Sequence, residues 1–129
     1  MGPDMPDPPV VETSVPTDED ETVFATLSCI DGMEAQVVTR TVRARQTGEL
    51  VEFAIMLQVR DEGTEEAWCD VERVDCAHGQ VHADRYTKGG TKYKDYHVVP
   101  QGCQDDLDAA LKWATDYIWD VERRTTGWR

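Results

Sequence analysis

Glu72-Arg73-Val74-Asp75-Cys76-Ala77-His78-Gly79-Gln80-Val81-His82-Ala83-Asp84-Arg85 reads as two short strands joined by a tight turn. Glycine follows histidine at the midpoint, where a two-residue turn needs positive φ, and polar and apolar residues alternate on both flanks. With His78 and Gly79 as the central pair, Asp75 faces His82, Arg73 faces Asp84 and Glu72 faces Arg85. Each of these is a favourable cross-strand pair, so charge and turn chemistry specify the same register.

The chain on either side continues in the same manner. Thr22–Ile30 (TVFATLSCI) is β-branched and apolar, Asp31-Gly32 is a hairpin signal, and Glu34–Ala44 returns as a second strand. Leu50–Arg60 is the most apolar segment and the expected central strand. Glu66–Asp75 and Gln80–Thr87 form the fourth and fifth strands around the histidine turn, and Tyr93–Val99 is expected as the sixth. Short turns between consecutive strands require antiparallel neighbours, hence a meander. A three-residue loop, Gly89–Thr91, sets Asp95 opposite Arg85 and Tyr96 opposite Asp84.

After Pro100 and Gly102 the period changes. Leu107, Leu111, Ala114, Ile118 and Val121 recur at steps of three and four within Gln104–Arg124, which predicts one amphipathic helix. Its apolar stripe, with Trp113 and Tyr117 alongside, can be covered only by a face of the sheet. The expected fold is therefore α+β: an antiparallel meander sheet of about six strands covered on one face by a C-terminal helix.

The chain has 129 residues, enough for one domain, and carries a formal charge of −13 from 26 acids and 13 bases. Residues 1–21 hold seven acids, no base and all but one of the six prolines, which predicts a disordered acidic tail ahead of a single domain over residues 22–129. Such a charge repels phosphate backbones at long range and argues against general affinity for nucleic acids. No apolar run has the roughly 20 residues needed to span a bilayer. The N-terminus has neither the basic start nor the apolar middle of a signal peptide, so a cytoplasmic location is expected. Cys29, Cys69, Cys76 and Cys103 have no regular spacing, which suits free thiols.

The hairpin register separates two faces. Val74, Cys76, Val81, Ala83 and Val99 belong under the helix. Arg73, Asp75, His82, Asp84, Tyr86, Lys94 and Tyr96 share the other face. Imidazole, carboxylate, cation and phenol are the groups of general acid–base chemistry on a phosphodiester. In that reading His82 is the base or acid, Asp75 orients it, and Arg73, Arg85 or Lys94 stabilise the phosphorane. Tyr86, Lys94 and Tyr96 contact the substrate. The same residues also fit an ordinary solvated sheet face laced with charge pairs. Cys69, Cys76, His78 and His82 do not make a zinc site, because Cys76 and His82 fall on opposite faces. No metal or cofactor is called for. His97 falls on the helix side, as a core or edge residue. Tyr86–Tyr96, with Lys88, Lys92, Lys94 and Tyr93, is a cationic and aromatic stretch suited to a single strand of RNA.

The segment Asp75-x-x-His78-Gly79-x-x-His82, followed by Arg85-Tyr86, an extended stretch and an amphipathic helix, resembles small TumE-type toxins of bacterial toxin–antitoxin operons. The resemblance covers about residues 50–123. It implies a toxin held inactive by a co-expressed antitoxin protein, with RNA as target, and carries over His82, Asp75 and Arg85. The alternative is a non-catalytic acidic interaction protein, for example a phage- or plasmid-encoded inhibitor that occupies a basic site on its partner.

Overall fold

The computed structural model describes residues 18–30, 32–76 and 79–126. Six strands lie in sequence order across one antiparallel sheet: β1 (Glu19–Ile30), β2 (Met33–Ala44), β3 (Leu50–Asp61), β4 (Cys69–Asp75), β5 (His82–Tyr86) and β6 (Lys92–Tyr93). A 3₁₀ turn at Gln101–Cys103 leads into α1 (Leu107–Trp119) and α2 (Val121–Thr125). The meander and its covering helix are thus as expected. No helix among the described residues is long and apolar enough to cross a membrane.

Strand β2 shows why one face closes. Met33, Ala35, Val37 and Thr39 are buried while Glu34, Gln36, Val38 and Arg40 alternate with them on the open side. Phe53, Ile55, Leu57 and Val59 of β3, with Val74 and Ala83, extend that buried face beneath α1. Asp106 caps α1 by accepting the Ala109 amide at 3.1 Å, satisfying one of the first-turn donors. Ala110, Ala114 and Ile118 form its fully buried stripe. Leu107 and Leu111, expected at the centre of the contact, pack only at its margin. Two alanines facing the sheet let the helix axis approach closely, which a leucine stripe would prevent.

Three boundaries differ from the sequence reading. The sheet begins at Glu19, so Glu19, Asp20 and Glu21 belong to β1 and not to the tail. Arg40 pairs with Glu21 and Arg45 with Asp20 (2.7 Å), which draws these acids into the ladder. The residues before Asp18 lie outside the described ones. The helix is not continuous to Arg124 but breaks at Asp120, whose ψ is 61°. The sixth strand is two residues, not Tyr93 to Val99, because Asp95 adopts a φ of +52° and leaves the ladder.

Candidate functional site

Asp75 faces His82, Arg73 faces Asp84 and Glu72 faces Arg85, the register set by the charge pairs. His78 lies outside the described residues, and Gly79 has the left-handed φ of +80° that the turn requires. The next pairing is shifted from expectation. Arg85 faces Tyr93 and Tyr86 faces Lys92, so Asp95 opposes no strand residue. Its side chain instead folds back, and Asp95 Oδ1 lies 2.7 Å from His82 Nδ1. The Asp95 amide donates to Asp84 Oδ1 at 3.0 Å, and Lys92 Nζ stands 3.5 Å from Asp84 Oδ2.

The orienting carboxylate of His82 is therefore Asp95, where Asp75 was expected. Asp75 still faces His82 in the ladder, but its Oδ2 accepts from Arg73 Nε at 2.6 Å. Sequence spacing could not show this, because it depends on the positive φ at Asp95. A non-glycine residue held in that region by a buried carboxylate is local strain of the kind that clusters at working sites. The contact with Asp95 fixes the orientation of the imidazole through Nδ1.

His82 and Asp95 open into a cleft of about 420 Å³, whose walls include His97, Val98, Val81 and Gln104. Gln104 closes its floor by a reciprocal pair with the Val81 backbone, accepting from its amide at 2.9 Å and donating to its carbonyl at 3.0 Å. His97 is exposed, tilted against Tyr117 and stacked on Trp113 at centroid distances of 4.7 and 5.9 Å. It is an edge histidine on the helix side, as expected, but it also shares the cleft with His82. Tyr93 and Tyr96 are exposed but do not line this cleft.

Arg85 does not join this group. It lies on the opposite face with Ala83, donating to Glu72 at 2.9 Å, and its guanidinium sits 5.6 Å from the Tyr96 ring centre. Tyr96 accordingly accompanies Arg85 rather than His82. Strict alternation from His82 already places Arg85 with Ala83, so this correction was available from the sequence. The same alternation places Glu72 with Val74 on the covered face, but does not give the neighbours it meets there. A bulge between Leu57 and Gln58 in the pairing of β3 with β4 buries Val71 and Glu72 side by side. Glu72, 1% exposed, takes Arg85, Tyr117 Oη at 2.5 Å and Arg124 at 3.5 Å. Arg124 also stacks on Tyr117, 4.1 Å from its ring centre. Burial, then the Glu72 hydrogen bond and charge, raise the Tyr117 phenol well above its ordinary value.

Elsewhere the open face is a lattice of polar pairs. Gln36 bonds Gln58 at 2.7 Å, Gln58 bonds Asp70 at 2.8 Å, and Arg60 bonds Glu34 at 2.7 Å. Every arginine among the described residues is ion-paired. Of the lysines, only Lys88 and Lys94 are not, and both lie in the segment that links β5 to Asp95. Among the described residues no cluster of three histidines, cysteines or carboxylates has metal-binding geometry.

Comparison with curated proteins and with solved structures found no match. The family described as Domain of unknown function (DUF7718) matches residues 18–127, the whole of the sheet and its helix. The chain belongs to the DUF7718 family.

Proposed function

We propose that this protein is a toxin-like, cytoplasmic component of a toxin–antitoxin system that cleaves RNA by metal-independent acid–base chemistry. The observation that carries the reading is the His82–Asp95 contact at 2.7 Å beside an open cleft. Asp95 holds the Nδ1 proton, so Nε2 is the basic nitrogen and can take the proton of a ribose 2′-hydroxyl. The resulting alkoxide attacks the adjacent phosphorus, the 5′-oxygen leaves, and a 2′,3′-cyclic phosphate remains. His97 lines the same cleft and offers a second imidazole to protonate the leaving oxygen.

Local cations support this substrate within a chain whose formal charge is −13. Lys88 and Lys94, the lysines without ion pairs among the described residues, lie in the segment that leads from β5 to Asp95, where they can meet phosphates. Tyr93 and Tyr96, on the Arg85 side of the hairpin, expose rings on which bases can stack. Arg73 is held by Asp75 and has a positioning role on the open face, while Arg85 supports the fold. Tyr86 stays on the open face beside Asp84.

Induced expression in a bacterial host, with wild type and His82→Ala compared at equal protein levels, tests the reading. Growth arrest is expected for the wild type and its loss for His82→Ala. Purified wild type should leave cyclic-phosphate ends on RNA in the presence of a chelator. A His82→Ala protein as toxic as the wild type would end the catalytic account.

One observation favours a second reading. With nearly every cation already paired, the uncompensated surface charge is carboxylate, which suits a non-catalytic module that docks on a basic partner. A protein that is neither toxic nor active on RNA, yet is retained by a cation-rich partner in a salt-sensitive manner, would establish it.

A further inference from the structure

The two edges of the sheet are built differently. Strand β6 is two residues long, lysines stand at 88, 92 and 94, and the chain turns away at Asp95. These are devices that blunt an edge. Strand β1 is twelve residues long and pairs with β2 in an unbroken register along its whole length. From Thr22 to Ile30 it contains no charge, proline or glycine. Among the described residues nothing lies over it: Val23 is 57%, Phe24 53% and Leu27 67% exposed. An apolar edge of this length, in unbroken register and uncovered among the described residues, is a template for strand addition.

We infer that this edge pairs antiparallel with the same strand of a second copy, giving a two-fold dimer with one continuous sheet. The acids of β1 argue for this occupant and this direction. Glu19, Asp20 and Glu21 sit together at one end, so a parallel partner of the same sequence would stack like charges along the seam. Antiparallel pairing carries the two triads to opposite ends of the seam, about 27 Å apart between the two Glu21 residues at the strand rise. A two-fold axis between antiparallel strands is perpendicular to the sheet, so each face continues across the seam and opposed residues share parity. Val23, Ala25, Leu27 and Cys29 of both copies then line the open face.

The register with Ala25 on the axis sets Val23 against Leu27 twice and Glu21 against Cys29. Moving the axis to Phe24 would oppose Leu27 to Glu21, and moving it to Thr26 would part Val23 from Leu27. Pairing of this kind uses up the long edges and leaves only the two blunted β6 edges. The assembly therefore closes at two copies instead of growing. It stands apart from the His82 site, which lies at the opposite side of the sheet.

Sedimentation of the full chain over a wide concentration range should give the mass of two copies. The double variants Val23→Lys/Leu27→Lys and Val23→Glu/Leu27→Glu, each alone, should fall to half that mass while keeping the wild-type circular dichroism spectrum, because both positions are exposed. Mixed together they should recover the dimer, with lysine facing glutamate at both positions, and native mass spectrometry should show one of each. A monomeric wild type overturns the proposal. If its β1 amides were nevertheless protected from exchange, the residues before Asp18 would hold the edge; if unprotected, the edge would be left to another protein. Variants that remain dimeric alone, or that fail to associate when mixed, overturn it as well.

Discussion

Asp84 and Arg85 are neighbours in sequence and belong to opposite chemistries. Asp84 faces the open side, where it receives the Asp95 amide and Lys92 beside His82. Arg85 faces the helix, where it meets Glu72 under Tyr117 and Arg124. One hairpin thus carries two ionic clusters, back to back. The covered one is held by mutual contacts around a buried Glu72, although Arg124 Nε has no hydrogen-bond partner among the described residues and Tyr117 and Arg124 line a cleft on its outer side. The open one sets an imidazole, held at Nδ1 by Asp95, against a cleft. A charged residue on this hairpin therefore cannot be read as functional from its type alone. Which face it takes decides whether its removal unfolds the protein or disarms it.

The comparison can be broken most directly at Glu72. Glu72→Ala leaves two guanidinium groups facing each other beneath the helix, and should cost about 3–5 kcal/mol of stability in urea unfolding. A change within experimental error would mean that the covered cluster is not a clamp. Tyr117→Phe removes a hydrogen bond to a charged group and should cost about 1.5–3 kcal/mol near neutral pH. It should also alter the alkaline limb. Because the folded phenol titrates above its ordinary 10.0, the stability it contributes is complete below that pH and is lost as pH rises toward the higher folded value. The wild type should therefore lose stability with pH above 10.0 more steeply than Tyr117→Phe, read from melting temperature against pH.

At the helix margin, Leu111→Ala should cost less than Ile118→Ala, which removes a fully buried side chain worth about 2–5 kcal/mol. Equal costs would place the helix stripe one position away from Ala110, Ala114 and Ile118. On the open face the stability effects should be the smallest. His82→Ala and Asp95→Asn should each stay within about 0.5 kcal/mol of wild type while activity on RNA falls. Asp95→Asn with full activity would show that the carboxylate does not orient the imidazole.

Much of this hairpin was legible because its signals agree. Three opposite-charge pairs, a glycine at the turn and alternating valines all point to the same register, and no competing register satisfies them together. The site was legible only in part. His82 stands out as a histidine on a polar face, but its partner lies thirteen residues on, across a backbone conformation that no spacing rule anticipates at an aspartate. The clamp was hidden for a similar reason. Alternation with Val74 already puts Glu72 on the covered face, but a bulge at Val71 sets a second buried side chain beside it, and Arg124 reaches Glu72 from α2, beyond the break at Asp120. Irregularities of the backbone, and not the side-chain pattern, decided both.

Every strand of the sheet pairs with its neighbour in sequence, so no hairpin needs to wait for a distant part of the chain. Low separation between contacting segments favours rapid zipping, hairpin by hairpin, as the chain emerges during synthesis. The helix comes last, and with it Tyr117 and Arg124. Until they arrive, the Glu72 carboxylate has only Arg85 for company on an uncovered apolar face, and the sheet can still breathe. Closure of the C-terminal helix is then the committing step of folding. Its rate should set the time during which the apolar face is open to chaperones or to aggregation.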